Sequence, residues 1–416
     1  MNDPQVLDTG DSFIFSWPIE DYRVRFDRLR EERGTLYSEI AVQTYEILPT
    51  TGRRGHIHRA GFNVSSTQAR SGLTKHLNSK INTIEWGELL ERCCAYVLEG
   101  YRRGLPVVKS KDITSPGTPQ FLVERLLPRN ETTIIYAEGG SGKSWLGIAL
   151  ALCVTGGQSL PWGLRPLGPT NVLYLDWETH AGEFRRRLDW LCRGFTPPLA
   201  HPDGIFYRQC DRSLPDDISS IREIVAEHKI GLVIIDSIAY ALDGEPEKAA
   251  TATAAMKAAG SLRDATRLIF AHVSKESAQM DKATPFGSVF FRESARMTWE
   301  MRGDEDGRVA LFQRKKNYKP DKRPIGYELI IDDENATTLI APDEIRSGDQ
   351  LARHTSLAER IRAALRLGPR HIPDLASIAS APASHVRSTL SRMNDVVRLD
   401  DGTRGEKATY GIKKWQ

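Results

Sequence analysis

The chain has 416 residues, enough for two or three domains. Hydrophobic residues make up 40% and charged residues 27%, a soluble globular balance, and a net charge of only +3 excludes a strongly basic or acidic protein, so local charge carries more information than the total. The five cysteines (Cys93, Cys94, Cys153, Cys192 and Cys210) are odd in number and lack metal-ligand spacing apart from one vicinal pair. With a polar N-terminus and no apolar run of about 18 residues, they point to a reducing, cytoplasmic setting without a membrane span.

The first block runs to about residue 117. "YRVRFDRLREERGTLYSEIAVQTYEI" alternates apolar and polar residues, which predicts a hairpin turning near Glu32 to Gly34. "TIEWGELLERCCAYVLEGYRRG" predicts an amphipathic helix, so residues 1–117 read as an α+β accessory domain. Thr51 to Lys80 holds Arg53, Arg54, Arg59, Arg70, Lys75 and Lys80 and no acid. His56 and His58 would share one face of a strand, but no Cys, Asp or Glu follows at ligand spacing, so they read as a surface or core pair. Oligomerisation, a protein partner and DNA contact all remain open for this block. "SKDITSPGTPQ" reads as a linker.

Residues 119–345 form the second block. Its apolar runs "TTIIYAEGG", "NVLYLDWE", "IGLVIIDS" and "RLIFAHVSK" each end in small or polar residues, with helical segments between them. That alternation predicts an α/β domain with a mostly parallel sheet. In "YAEGGSGKSWLGIALAL" a glycine-rich turn separates a buried strand from an apolar helix that Gly156-Gly157 can end. Backbone N–H groups of Gly139, Gly140, Ser141, Gly142, Lys143, Ser144 and Trp145 would lie at a helix N-terminus, where they can meet phosphate. Lys143 can reach the β and γ oxygens of ATP, and the Ser144 hydroxyl can ligate Mg²⁺. Ala137 stands where a P-loop has its first glycine, and a methyl group is tolerable there if φ is negative.

Three later strand ends complete the expected site. Asp236 closes a very apolar strand, where an acid is costly unless paired or metal-linked, so it is the candidate Mg²⁺ acid; its alternative is a helix cap. Asp176 and Glu178 end the preceding strand, with Glu178 the candidate for polarising the attacking water. His272 ends a further strand as a candidate γ-phosphate sensor or a core histidine.

Residues 352–416 form the third block, with twelve Lys/Arg against six Asp/Glu. Helix, helix, turn, helix and hairpin predict a winged helix. Leu357, Ile361, Ala364 and Leu365 would face its core, as would Val386, Leu390 and Met393. Ser384 is a candidate N-cap of the third helix. His385, Arg387 and Arg392 on that helix, and Arg404 in the wing around Asp401-Gly402, are the candidate DNA contacts.

The central block resembles the RecA-like ATPases, and within them the RepA-type plasmid replicative helicases. The matching pieces occur in order: "GGSGKS", "VLYLDWE", "LVIIDS", "IFAHVSK", "GSVFFRESARMTWEM" and "KKNYKP". The resemblance implies a catalytic base at Glu178, a ring that favours six subunits, and a basic residue reaching the neighbour's site. Arg314, Lys315 and Lys316 are candidates for that finger, with Arg302 and Arg308 as further options. It also implies loops that grip nucleic acid, here "LDGEPEKAAT" and "KESAQMDKATPFGS", the latter with Lys275 and Lys282. The expectation is an ATP- and Mg²⁺-dependent motor on single-stranded DNA, with the winged helix as a route to duplex, from a plasmid, phage or other mobile element. The alternatives are an ATP-switched DNA-binding initiator or regulator, or the ATPase of a defence assembly.

Overall fold

The computed structural model describes residues 2–8, 12–48, 53–103, 107–115, 117–160, 164–273, 283–287, 289–304, 306–317, 323–343, 351, 354–399 and 408–413. Two compact units emerge: Met1–Gly117 with Ser219–Glu223, and Thr118–Ile218 with Ile224–Gln416.

The first unit is a five-stranded antiparallel sheet in sequential order, β1 (Gln5–Asp8), β2 (Phe13–Trp17), β3 (Tyr22–Glu32), β4 (Thr35–Leu48) and β5 (Arg53–Asn63), followed by helices α1 (Thr67–Asn78) and α2 (Trp86–Arg103). The β3–β4 hairpin turns at Arg33-Gly34, both with positive φ. Alternation in β3 buries Tyr22, Val24 and Phe26, which pack with Leu73 and Leu77 of α1 and Trp86, Leu90 and Val97 of α2. Ser66 caps α1 by accepting from the Ala69 N–H.

The second unit opens with the short pair β6 (Phe121–Val123) and β7 (Leu127–Pro128). Its main sheet has nine strands: β8 (Thr132–Ala137), β9 (Asn171–Asp176), β10 (Ile205–Gln209), β11 (Ile230–Asp236), β12 (Thr266–His272), β13 (Met297–Gly303), β14 (Arg308–Lys316), β15 (Ile325–Asp332) and β16 (Thr337–Pro342). Their order is β10-β9-β11-β12-β8-β13-β14-β15-β16. Pairing is parallel from β10 to β13 and antiparallel beyond. Every residue of β8 is buried, as a strand covered on both faces requires.

The helices of this domain are α3 (Lys143–Gly156), α4 (Ala181–Gly194), α5 (Leu214–Glu227) and α6 (Ala249–Gly260). α3 is apolar all round and buried from Trp145 to Val154. It stops at Gly157, whose φ of 65° lets its N–H reach the Cys153 carbonyl. All five cysteines are free and buried. No described helix is long and apolar enough to cross a membrane.

The C-terminal segment has its own core of Ile361, Ala364, Leu365, Ile372, Leu375, Val386, Leu390 and Met393. It contains helices Leu357–Arg366, Ile372–Ile378 and Ala383–Leu390, and a small sheet ordered β17 (Arg370–His371), β19 (Thr409–Ile412), β18 (Val396–Arg398). Ser384 does not cap the third helix. Pro382 occupies the N-cap and offers no side-chain acceptor, and Ser384 already lies inside the first turn. The Asp401-Gly402 turn lies outside the described residues.

Candidate active site

Sheet register brings the site together. Asp176 at the end of β9 pairs with Asp236 at the end of β11, and His272 at the end of β12 pairs with Ala137 at the end of β8. Four adjacent parallel strands thus deliver their C-terminal residues to one edge, where open α/β sheets place their chemistry. Ala137 keeps ordinary extended backbone and is 1% exposed, so the missing glycine costs no strain. Left-handed backbone falls on Gly140 (φ 73°) and Gly142 (φ 89°), and Gly142 is the N-cap of α3. A Cβ on Gly142 would also meet Leu329 Cδ2 at 3.0 Å, so the loop there admits only glycine without adjustment.

Lys143 opens α3, is 6% exposed, and its Nζ donates to the Glu138 carbonyl at 2.8 Å. The ammonium also lies 3.5 Å from His272 Nδ1, while His272 Nε2 lies 2.9 Å from Glu178 Oε1. The His272 ring thus bridges the Lys143 ammonium and the Glu178 carboxylate. Burial lowers the Lys143 pKa, against the opposing pull of Glu178 and Asp236. Burial alone would raise the Glu178 carboxyl, yet it sits below its ordinary range because the His272 hydrogen bond, the neighbouring Ser237 hydroxyl and the electrostatic pull of His272 and Lys143 outweigh it.

Asp236 is 3% exposed, and burial raises its pKa despite a 2.5 Å hydrogen bond from the Tyr174 hydroxyl to Oδ2. Its Oδ1 is buried without a well-formed hydrogen bond, and the neighbouring Ser144 hydroxyl favours the charged form. A carboxylate oxygen lacking a partner beside a hydroxyl is a hard-oxygen donor set that fits Mg²⁺. Asp176, by contrast, accepts from the Glu178 and Thr179 N–H groups, the Thr179 hydroxyl and the Tyr207 hydroxyl. It shapes the turn that carries Glu178. The N-cap of α4 is His180, accepting from the Glu183 N–H.

Other expected residues lie elsewhere. Trp145 follows Ser144, but its indole packs inward, 6.5 Å from the Trp190 ring and under the Arg187 guanidinium, leaving only its backbone for a phosphate. Arg314 pairs at 2.5 Å with Glu300 and donates to the His354 carbonyl, Arg302 pairs with the same Glu300, and Arg308 pairs with Asp343. The Lys315 ammonium donates to the Arg292 and Glu293 carbonyls. All four cations thus engage partners in their own chain. Lys316 ends β14, and its side chain, like Lys275, Lys282 and Arg404, lies outside the described residues. His385, Arg387 and Arg392 are exposed at or just beyond the third C-terminal helix. No group of three His, Cys, Asp or Glu suited to a metal occurs among the described residues.

Sequence reasoning missed Tyr174, whose signal was a tyrosine inside an otherwise aliphatic buried strand. It also missed Glu300, an acid in the apolar run "MTWEM", buried to 1% and held by two arginines and the Ala283 N–H.

Residues 102–278 match a family model described as an AAA domain. A solved ATPase domain is similar at 13% identity over 51% of this chain and 85% of that chain, with a TM-score of 0.39. No curated protein matches. Lys143, Ser144 and Asp236 all fall inside the stretch that matches the AAA-domain model.

Proposed function

We propose that this chain is an ATP-hydrolysing RecA-like motor acting on nucleic acid, a ring-forming helicase of a plasmid, phage or mobile element. The observation that carries the reading is the convergence of Lys143, Glu178, Asp236 and His272 at the edge where four neighbouring parallel strands end. A phosphate switch alone needs the cradle. A carboxylate held by a histidine beside the cradle lysine adds what hydrolysis needs.

In this reading the N–H groups from Gly140 to Lys143 hold the β and γ phosphates, and Lys143 exchanges the Glu138 carbonyl for a phosphate oxygen. Ser144 and Asp236 hold Mg²⁺, which when bound neutralises developing phosphate charge. Glu178 orients the attacking water, and His272 fixes the Glu178 carboxylate. A basic residue of a neighbouring subunit completes the site, most simply in a hexamer. Because Arg314 and Lys315 have partners in their own chain, either must exchange them to act in trans, and Lys316 is the other candidate at this strand end. Residues 352–416 serve as a winged helix, with His385, Arg387, Arg392 and Arg404 toward duplex DNA, and Lys275 and Lys282 contact single strands.

ATP hydrolysis measured with and without single-stranded DNA, beside Lys143→Ala, tests this. Stimulation by single strands together with a dead variant supports the motor. A low rate indifferent to DNA, with Lys143 still needed for nucleotide binding, replaces it with an ATP-switched DNA-binding regulator. Activity that survives Lys143→Ala refutes the cradle.

A further inference from the structure

The N-terminal unit carries a charged surface that the ATPase reading does not use. Between Thr51 and Lys80 every charged side chain is basic, and His56, His58 and His76 add three imidazoles. The fold brings part of this set together on β5 and α1. β5 is the sheet's edge strand, and α1 follows it directly. The His58 ring on β5 lies 5.0 Å from the His76 ring on α1, and the Lys80 ammonium donates to the Ile57 carbonyl.

Some of this charge is balanced: Arg59 pairs with Glu39, and Arg70 with Glu91. Among the described residues no acid pairs with His56, Lys75, His76 or Lys80, all of them exposed, or with His58. Burial first, and then the electrostatic effect of His76 and Lys80, lowers the His58 pKa. Helix α1 also has no acid in its first turn to offset the positive end of its dipole.

The chemistry of the surface selects the partner. The exposed positions of α1, among them Gln68, Ser71, Lys75, His76 and Asn78, hold no large apolar side chain. A lipid-binding helix presents Trp, Phe or Leu. A protein interface concentrates aromatic residues at its centre. A single-strand platform offers aromatic rings for stacking bases. A polar, positive surface without such a centre suits a phosphate backbone. We propose that β5 and α1 bind the backbone of duplex nucleic acid without reading its sequence. This rests on the nucleic-acid half of the reading above, but not on ATP hydrolysis.

The test is fluorescence anisotropy of a labelled duplex of arbitrary sequence with the full chain and no nucleotide, titrated across salt. Lys75→Glu/Lys80→Glu is compared with wild type, and Lys75→Gln/Lys80→Gln serves as a milder pair. DNA-independent ATPase rate and circular dichroism report folding. The expected result is a plot of log affinity against log salt shallower by about 0.9 for each phosphate contact removed, hence roughly 2 for the pair, at unchanged basal ATPase. Equal slopes and affinities for both variants and wild type would overturn the proposal while leaving single-strand-stimulated hydrolysis, measured separately, to stand. A wild-type chain that ignores duplex but sediments with phosphatidylserine vesicles would overturn it in favour of a lipid surface.

Discussion

Glu178 and Asp236 are two carboxylates acting on the same lysine, and their surroundings push them apart. Glu178 is partly open to solvent and held below the usual carboxylate range by His272 and Ser237 against its burial, so it stays ionised at neutral pH. Asp236 is raised by burial and leans on Tyr174 and Ser144 for its charge. A buried unpaired carboxylate costs several kcal/mol, which a cation beside Oδ1 would offset. Glu178→Gln keeps the shape and removes the charge. It is expected to bind ATP as wild type does while hydrolysis falls by about 10²–10⁴-fold, the usual weight of a proton-handling side chain. Nucleotide binding and single-turnover rates measured side by side check this, and an unchanged rate would remove Glu178 from the chemistry.

At the scale of elements, the site depends on how tightly helices sit on the sheet. α3 is pressed onto β12 at Gly147, where a Cβ would come within 2.7 Å of the Phe270 ring. The end of α4 is tighter still. A Cβ on Gly194 would lie 1.9 Å from the Thr338 carbonyl oxygen of β16, a backbone atom with no rotamer to escape into. Gly194→Ala must therefore shift α4 or β16, at an expected cost of about 1–3 kcal/mol, read as a lower melting temperature. An unchanged melting temperature would show that this helix–strand contact is looser than described. β13 and β14 are tied in another way: Glu300 on β13 holds Arg302 and, across the strand pair, Arg314, which also reaches the His354 carbonyl ahead of the C-terminal helices.

For the molecule as a whole, the proposed neighbour-completed site makes activity depend on assembly. ATP turnover per chain should rise with protein concentration and plateau where sedimentation shows a single oligomer. Turnover per chain that is flat down to a monomeric dilution would mean that one chain carries a complete site. The AAA-like segment ends at residue 278, before β13 to β16, so the strands bearing Arg314 and Lys315 lie beyond it.

The sequence alone determined what is contiguous. The strand, glycine turn, Lys143-Ser144 and apolar helix lie in one short stretch, because a phosphate cradle is built from consecutive backbone N–H groups and needs no distant partner. The strand ends at Asp176 and Asp236 were legible for a related reason: a polar residue closing a buried apolar run marks the end of a parallel strand. The N-terminal hairpin was legible from its alternation. Only the tertiary structure decided the pairings. His272 meets Glu178 across 94 residues and Lys143 across 129, and Tyr174 meets Asp236 across 62. Those contacts follow from strand order and register, which bring ends together that no local pattern connects. The same cause drew Arg314 onto Glu300, turned Trp145 into the core, and left the basic strand β5 at the edge of its sheet. Periodicity can mark a face as buried or open, but sheet order decides which charge that face will meet.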